Sequence, residues 1–263
     1  MKQQIISYLP GDHPWQNHIL WFDSIDSTNT RAKELAIAGA PHGTVLIADH
    51  QSAGRGRMGR SFQSPVGVGI YMSVILRYAC SPLELMHLTC ATAVAACDAV
   101  ERAVNLRPGI KWTNDLVFEK RKLAGILTEL LTFPNETVAI VGIGINCCQK
   151  ESDFDESIRS FAGSLSMAAG NAVDRAKVAA CLIAALGQMD ASLLTKRSEI
   201  MEHSQKNCVT VGKDISILCG GEVRHGHAQG VDSDGALLVQ FPDGHIEPIQ
   251  SGEVSIRGMY GYI

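Results

Sequence analysis

The chain has 263 residues and a mass of 28.3 kDa, enough for one large domain or two unequal ones with a core that needs no cross-links. Small disulfide scaffolds and long repeat arrays are excluded, and a hydrophobic content of 46% against 19% charged residues excludes wholesale disorder. A net charge of −4 argues against a protein whose whole surface seeks nucleic acid or anionic lipid, although a local basic patch can hide inside that average.

Met1 to Pro10 carries no apolar run of signal-peptide length, which predicts an irregular start and a cytoplasmic protein. Ile19 to Phe22 reads as a short strand. Asp26, Ser27 and Thr28 then offer N-cap oxygens to a helix running to about Ala38, with Gly39 placed to end it. Gly43 to Ala48 is β-rich, the Gly/Arg segment 54 to 60 follows, and Val68 to Leu76 is the next strand. Ser81, Pro82 and Glu84 form a capping box with proline at the first helical position, predicting one long helix to about Val104. Its apolar part is broken by Asp98 and predicts a buried core helix rather than a bilayer span.

Strand-like runs follow at Ile110 to Trp112, Leu116 to Phe118, Leu123 to Leu131 and Val138 to Asn146. Their short connections predict an antiparallel or mixed sheet. Residues 147 to 156 read as a polar connection, and helical spacing over 174 to about 201 predicts a helix that closes the main domain. From Cys208 to Ile256, short strands alternate with turn residues, as in a small β-barrel of roughly fifty residues. The boundaries are therefore 1–206 and 207–263. The eight cysteines lack a C-x-x-C pair or zinc-site spacing and read as small buried thiols.

Three segments carry chemistry. Gly54 to Arg60 contains a formal G-x-G-x-x-G, but a β-type run follows it instead of a helix, so it is no dinucleotide fingerprint. No Asp or Glu occurs from Gln51 through Leu83, while Arg55, Arg57, Arg60 and Arg77 do, so an acidic chain presents here a basic, glycine-jointed loop. Guanidinium forks grip phosphate bidentately, and glycines let backbone N–H groups approach, so the segment reads equally as a phosphate site and as a solvated basic loop. Lys111 to Asp115 supplies a lysine, an aromatic, an amide and a carboxylate at a strand end. Val141 to Asn146 is an apolar strand whose two glycines leave room for a ligand or a second backbone.

Six segments then stand in an order that resembles the biotin protein ligase family: Asp26 to Asn29, Gln51 to Arg57, Lys111 to Asp115, Lys122 to Leu127, Gly142 to Asn146 and Gly252 to Arg257. The resemblance implies an α+β fold, with a class II synthetase-like mixed sheet flanked by helices and followed by a small SH3-like β-barrel. Two positions depart from the family pattern: Thr113 stands where a proline is usual, which loosens a turn, and Met58 stands where a second basic residue is frequent, which leaves three arginines in the loop. About twenty residues precede the catalytic pattern, too few for the N-terminal helix-turn-helix of some members, so a ligase without a DNA-binding role is expected.

The resemblance further implies ATP-dependent joining of biotin, through biotinyl-5′-AMP, to a lysine of a biotin carboxyl carrier protein. Lys111, Arg57 and Asp115 become the expected catalytic residues. Ser27, Thr28, Asn29, Gln51, Arg55, Gly56, Arg57, Lys111 and Gly125 become the biotin site, and Arg57, Arg60, Phe62, Lys111, Asn114 and Asn146 the nucleotide site. Magnesium is expected with ATP, no permanently bound metal, DNA or membrane partner is expected, and a homodimer is left open. Lipoate protein ligase is the nearest alternative on the same fold, but its Gly-Gly-Gly signature after an arginine pair does not occur here. A nucleic-acid-binding module built on the basic loop and small barrel is the alternative of another class, disfavoured by the acidic total.

Overall fold

A computed structural model describes residues 1–219 and 221–256; the expected final arginine of the last motif, Arg257, and the expected end of the barrel lie outside them. The N-terminal segment is ordered as α1 (Lys2–Tyr8), which buries Ile5 against the main core. Next come β1 (Ile19–Phe22), α2 (Thr28–Ile37), β2 (Thr44–Ala48) and β3 (Gly69–Tyr78). The capping box of Ser81 and Glu84 is formed, but it opens a 3₁₀ turn over Pro82–Leu85, and the helix proper, α3, starts only at Leu88 and ends at Val104. Strands β4 (Gly109–Lys111), β5 (Asp115–Phe118), β6 (Arg121–Phe133) and β7 (Glu136–Asn146) follow.

The connection expected after Asn146 contains two short helices, α4 (Glu156–Arg159) and α5 (Leu165–Ala169). The helix expected over 174–201 is two: α6 (Arg175–Ser192), capped by Asp174 on the backbone of Ala176 and Lys177, and α7 (Arg197–Asn207). Apolar spacing continues through the break because buried Leu193 packs in the turn itself. The C-terminal part holds β8 (Asp214–Cys219), β9 (Glu222–Val231), β10 (Leu237–Gln240), β11 (Ile246–Ile249) and β12 (Glu253–Ile256).

Among the described residues the strands form two sheets. A seven-stranded mixed sheet runs β1-β2-β3-β7-β6-β5-β4, with β1 and β2 parallel and the remaining pairs antiparallel. Side-chain alternation along β3 and β7 divides its faces. Ile70, Met72, Val74, Leu76, Ala139, Val141, Ile143 and Ile145 meet α3 and α6 in the main core. Ile75, Val138 and Ile140 meet Ala32 and Ala36 of α2 on the opposite face.

The second sheet, β11-β10-β9-β8-β12, is antiparallel throughout and wraps its own apolar core of Ile215, Ile217, Leu237, Val239, Ile249, Val254 and Ile256. Helix α3, with the 3₁₀ turn before it, is long and apolar enough to cross a membrane, but it lies mostly buried inside the fold. Cysteines 80, 90, 97, 147, 148, 181 and 208 are free thiols; the side chain of Cys219 lies outside the described residues.

Away from the cavity described below, His42, Tyr78 and Asp190 tie the loop before β2 to the end of β3 and to α6. Tyr78 donates to Asp190 at 2.7 Å, and the His42 Nε2 lies 2.9 Å from the same carboxylate. The hydrogen bond to Asp190 holds His42 above the ordinary histidine pKa, although burial works against it. A raised folded-state pKa contributes stability that is complete below about 6.5 and is lost as pH rises through the raised value. His42→Gln should therefore lower the melting temperature more at pH about 5.5 than at pH about 8.5, measured by thermal denaturation of both proteins across that range.

Candidate active site

Strand register builds the floor of the site. Lys111 pairs with Asp115, Asp115 with Gly125, Gly125 with Gly144, and Gly144 with Tyr71. Residues directly opposite in antiparallel strands share a face, so one row across four strand pairings carries a lysine, a carboxylate, two glycines and a tyrosine on the same side. The next row holds Leu127, Gly142 and Ser73. The three glycines remove side chains where the face would otherwise fill, and the result is a cavity of about 650 Å³.

All fourteen residues expected at the site line this cavity: Ser27, Thr28, Asn29, Gln51, Arg55, Gly56, Arg57, Arg60, Phe62, Lys111, Asn114, Asp115, Gly125 and Asn146. The polar end belongs to α2. Ser27 is its N-cap, accepting from the backbone N–H of Thr30. The Gln51 amide oxygen accepts from the Thr28 backbone N–H at 2.8 Å and from the Thr28 hydroxyl at 3.1 Å, while the Gln51 nitrogen donates to Ser64 Oγ. Asn29 accepts from Ser73 Oγ at 2.6 Å and donates to Glu129 Oε2 and to the Leu127 carbonyl. A Cβ at Gly142 would overlap the Asn29 amide, so the glycine is what admits Asn29.

The charged wall comes from the glycine loop and the strand ends. Lys111 is only 7% exposed, and burial pushes its ammonium below the ordinary lysine range, with Asp115 acting in the opposite direction. Burial likewise lowers the Arg57 pKa, opposed by Asp115 and Glu253. Arg57 donates to Asn114 Oδ1 at 2.8 Å, and the Asn114 nitrogen donates to Asp115 and to the Ile126 carbonyl. The Asn114 amide, expected at the nucleotide site, thus also positions Arg57 and Asp115.

Arg55 points to the same cavity, but its guanidinium makes a bidentate pair with Glu129, at 3.1 and 3.2 Å. Asp115 Oδ1 pairs with Lys122 at 2.7 Å and accepts from the Asn114 nitrogen at 3.1 Å, so both contacts fall on one carboxylate oxygen. Phe62 lies over the glycine floor, edge-on to Tyr71, where any side chain at Gly144 would strike it.

Several participants were not singled out from sequence. Ser73 and Glu129 sit on strands whose facing only register reveals. Lys122 stood inside a motif without a role. Glu253 of β12 reaches back to pair with Arg60 of the glycine loop, so the C-terminal sheet closes one side of the cavity. Trp112 fastens that sheet to the lysine strand, its backbone N–H donating to Thr210 Oγ1 at 3.0 Å and its indole N–H to the Gly235 carbonyl at 2.9 Å. The Trp112–Thr113 peptide is cis.

Fold and cavity define the class: an α+β protein with a mixed sheet whose glycine-floored face is walled by cations suited to anionic ligands, backed by a small antiparallel β unit. Residues 21–146 match the biotin/lipoate A/B protein ligase family, and residues 210–257 match the biotin protein ligase C-terminal domain. A bifunctional ligase/repressor BirA from Bacillus subtilis is 34% identical over 241 residues, covering 91% of this chain and 74% of that one. A biotin ligase of acetyl-CoA carboxylase from Paracoccus denitrificans is 31% identical over 238 residues, 89% of this chain and 98% of that one. The solved structure of an Aquifex aeolicus biotin protein ligase in complex with biotin and ATP superposes with a TM-score of 0.78 at 30% identity, covering 91% and 98% of the two chains. The chain belongs to the biotin protein ligase family.

Since Gly142 makes room for Asn29, Gly142→Ala should force that amide off Ser73 and weaken binding of biotin by about tenfold, the effect of roughly 1.4 kcal/mol. Isothermal titration with biotin, alongside a melting curve to show that the fold is kept, checks it.

Proposed function

We propose that this protein uses ATP to join biotin to a lysine of a biotin carboxyl carrier protein, with biotinyl-5′-AMP as the intermediate. A biotin carboxylate oxygen attacks the α-phosphorus of ATP and pyrophosphate leaves; the carrier amine then attacks the acyl carbon, loses a proton and expels AMP. The supporting observation is that Lys111 and Arg57, far apart in sequence, line one cavity with the polar cluster on α2.

The first step sets an anion against a polyanion. Two unit charges about 4 Å apart at an effective dielectric near 20 interact by about 4 kcal/mol, so cations placed between them turn repulsion into attraction. Lys111 and Arg57 take that role, and burial strengthens it by keeping water from screening them. Ser27, Thr28, Asn29 and Gln51 suit a ureido ring, offering donors and acceptors whose orientation is already set. Gly125 supplies the open floor, while Gly56 and Arg55 bring the loop over it. Arg60, Phe62 and Asn146 belong to the nucleotide, Phe62 by stacking and Arg60 by charge.

Asp115 is the carboxylate nearest this chemistry and the candidate to receive the acceptor proton, with Lys122 as its ion-pair partner. The glycine loop is the lid that shields the mixed anhydride from water. Magnesium enters on the ATP phosphates in this reading. Residues 1–206 act as the catalytic unit in this reading, residues 207–263 as the β unit that supports it, and the cytoplasm is the location that goes with it.

Lys111→Ala should cost roughly 2 to 4 kcal/mol in adenylate formation, the scale for losing one preorganised charge-stabilising group. The measurement is biotin-dependent pyrophosphate exchange, in which a rate within a few fold of wild type would sink the assignment. Running the assay with lipoate in place of biotin tests the substrate as well, and biotin alone should support exchange. Because burial lowers the Lys111 pKa, the alkaline fall in exchange should begin below the ordinary lysine value of about 10.4, and Lys111→Arg should move it upward. Limited proteolysis within residues 54–64 should slow sharply on adding biotin and ATP together.

A further inference from the structure

We propose that Gln149 is a specificity-positioning residue: it locks the Asn146 side-chain amide in the orientation that accepts adenine and rejects guanine. The inference rests on the reading above that Asn146 meets the nucleotide base.

Asn146 ends β7 and lines the cavity close to Phe62, which packs over Gly144 two residues before it. Its Nδ2 lies 3.0 Å from the Gly163 carbonyl, and its Oδ1 accepts from Gln149 Nε2 at 3.1 Å. A main-chain carbonyl can only accept, so the nitrogen must face Gly163 and the oxygen must face Gln149. With both atoms aimed, the amide has one remaining lone pair and one remaining N–H to turn toward a ligand. An acceptor beside a donor is the complement of adenine, whose exocyclic amine sits next to a ring nitrogen. Guanine carries an oxo group in place of that amine, which would meet the Asn146 oxygen lone pair to lone pair. The discrimination is therefore a repulsion against the wrong base as much as an attraction for the right one.

Gln149 itself is 2% exposed and its Oε1 has no hydrogen-bond partner among the described residues, a costly arrangement that an apolar side chain of similar size would avoid. Its main-chain carbonyl is held by Ser164 Oγ at 2.6 Å, which fixes where the side chain begins. The amide N–H given to Asn146 is what the buried glutamine provides and a methionine would not. Without that donor the Asn146 oxygen is left bare, and the amide can swing away from the orientation complementary to adenine.

The test measures biotin-dependent pyrophosphate exchange with ATP and, separately, with GTP, using the full chain and its Asn146→Ala, Gln149→Met and Gln149→Asn variants. The Met variant keeps volume but removes the donor; the Asn variant keeps an amide but draws it back by one methylene, which covers the case of a Met variant that does not fold. For either Gln149 variant we expect the KM for ATP to rise about tenfold and the ATP-over-GTP preference to shrink about tenfold, the scale for losing one aligned hydrogen bond at a polar recognition site. Biotin affinity without nucleotide should stay native and kcat should stay within about threefold, which a general packing defect would not produce. If Asn146→Ala loses affinity for ATP while both Gln149 variants keep the native KM and base preference, the role of Gln149 is overturned. If Asn146→Ala itself leaves both quantities native, the placement of the base at Asn146 fails instead.

Discussion

Everything in the cavity depends on holding cations out of water next to one another. Five cationic side chains, Arg55, Arg57, Arg60, Lys111 and Lys122, line it against two carboxylates, Asp115 and Glu253, in a chain whose net charge is −4. Like charges gathered in a partly desolvated space repel, and burial lowers the pKa of both Lys111 and Arg57. The fold answers with positioned anions: Asp115 within reach of Lys122, Glu253 on Arg60, and Glu129 just outside the cavity on Arg55. The wall keeps an excess of positive charge, which suits it to anionic ligands.

The same arrangement explains why the C-terminal sheet is joined so closely to the larger one. Glu253 belongs to the small sheet, while Arg60 belongs to the glycine loop. Trp112, one residue beyond Lys111, is anchored to Thr210 and Gly235, so the small sheet holds both the lysine strand and the loop from one side. A loop rich in glycine and arginine has high conformational entropy when free, and ion pairs at Glu129 and Glu253 restrict it at two points along its length. Between those points Met58 takes a left-handed backbone conformation, and Gly59 follows with φ also positive.

Much of this was legible in the chain. Glycines at 142 and 144 inside an apolar run announced a strand with room for something close to its face, and the acid-free stretch from Gln51 announced a basic loop between strands. What the spacing did not show was hydrogen-bond allocation. Asn114 and Arg55 were correctly placed at the cavity, yet their side chains are turned to Arg57 and Glu129, partners 57 and 74 residues away in sequence. The helix breaks near Leu85 and Leu193 also escaped, because apolar periodicity runs through a short 3₁₀ turn or a packed corner without interruption. Helix α1 was missed because it buries only Ile5, too little for a periodic signal.

By itself, the sequence determined the succession of most strands along the chain and the residue types gathered in its motifs, because alternation, turn residues and local charge act over a few neighbours. Only the tertiary structure decided which face each strand turns, and so that Lys111, Asp115, Gly125 and Gly144 form one row. Register between distant strands is a cooperative property of the packed sheet: a slip of one residue would send every one of those side chains to the opposite face. For the same reason the partners of Arg55 and Arg60 emerged only once the chain had closed on itself.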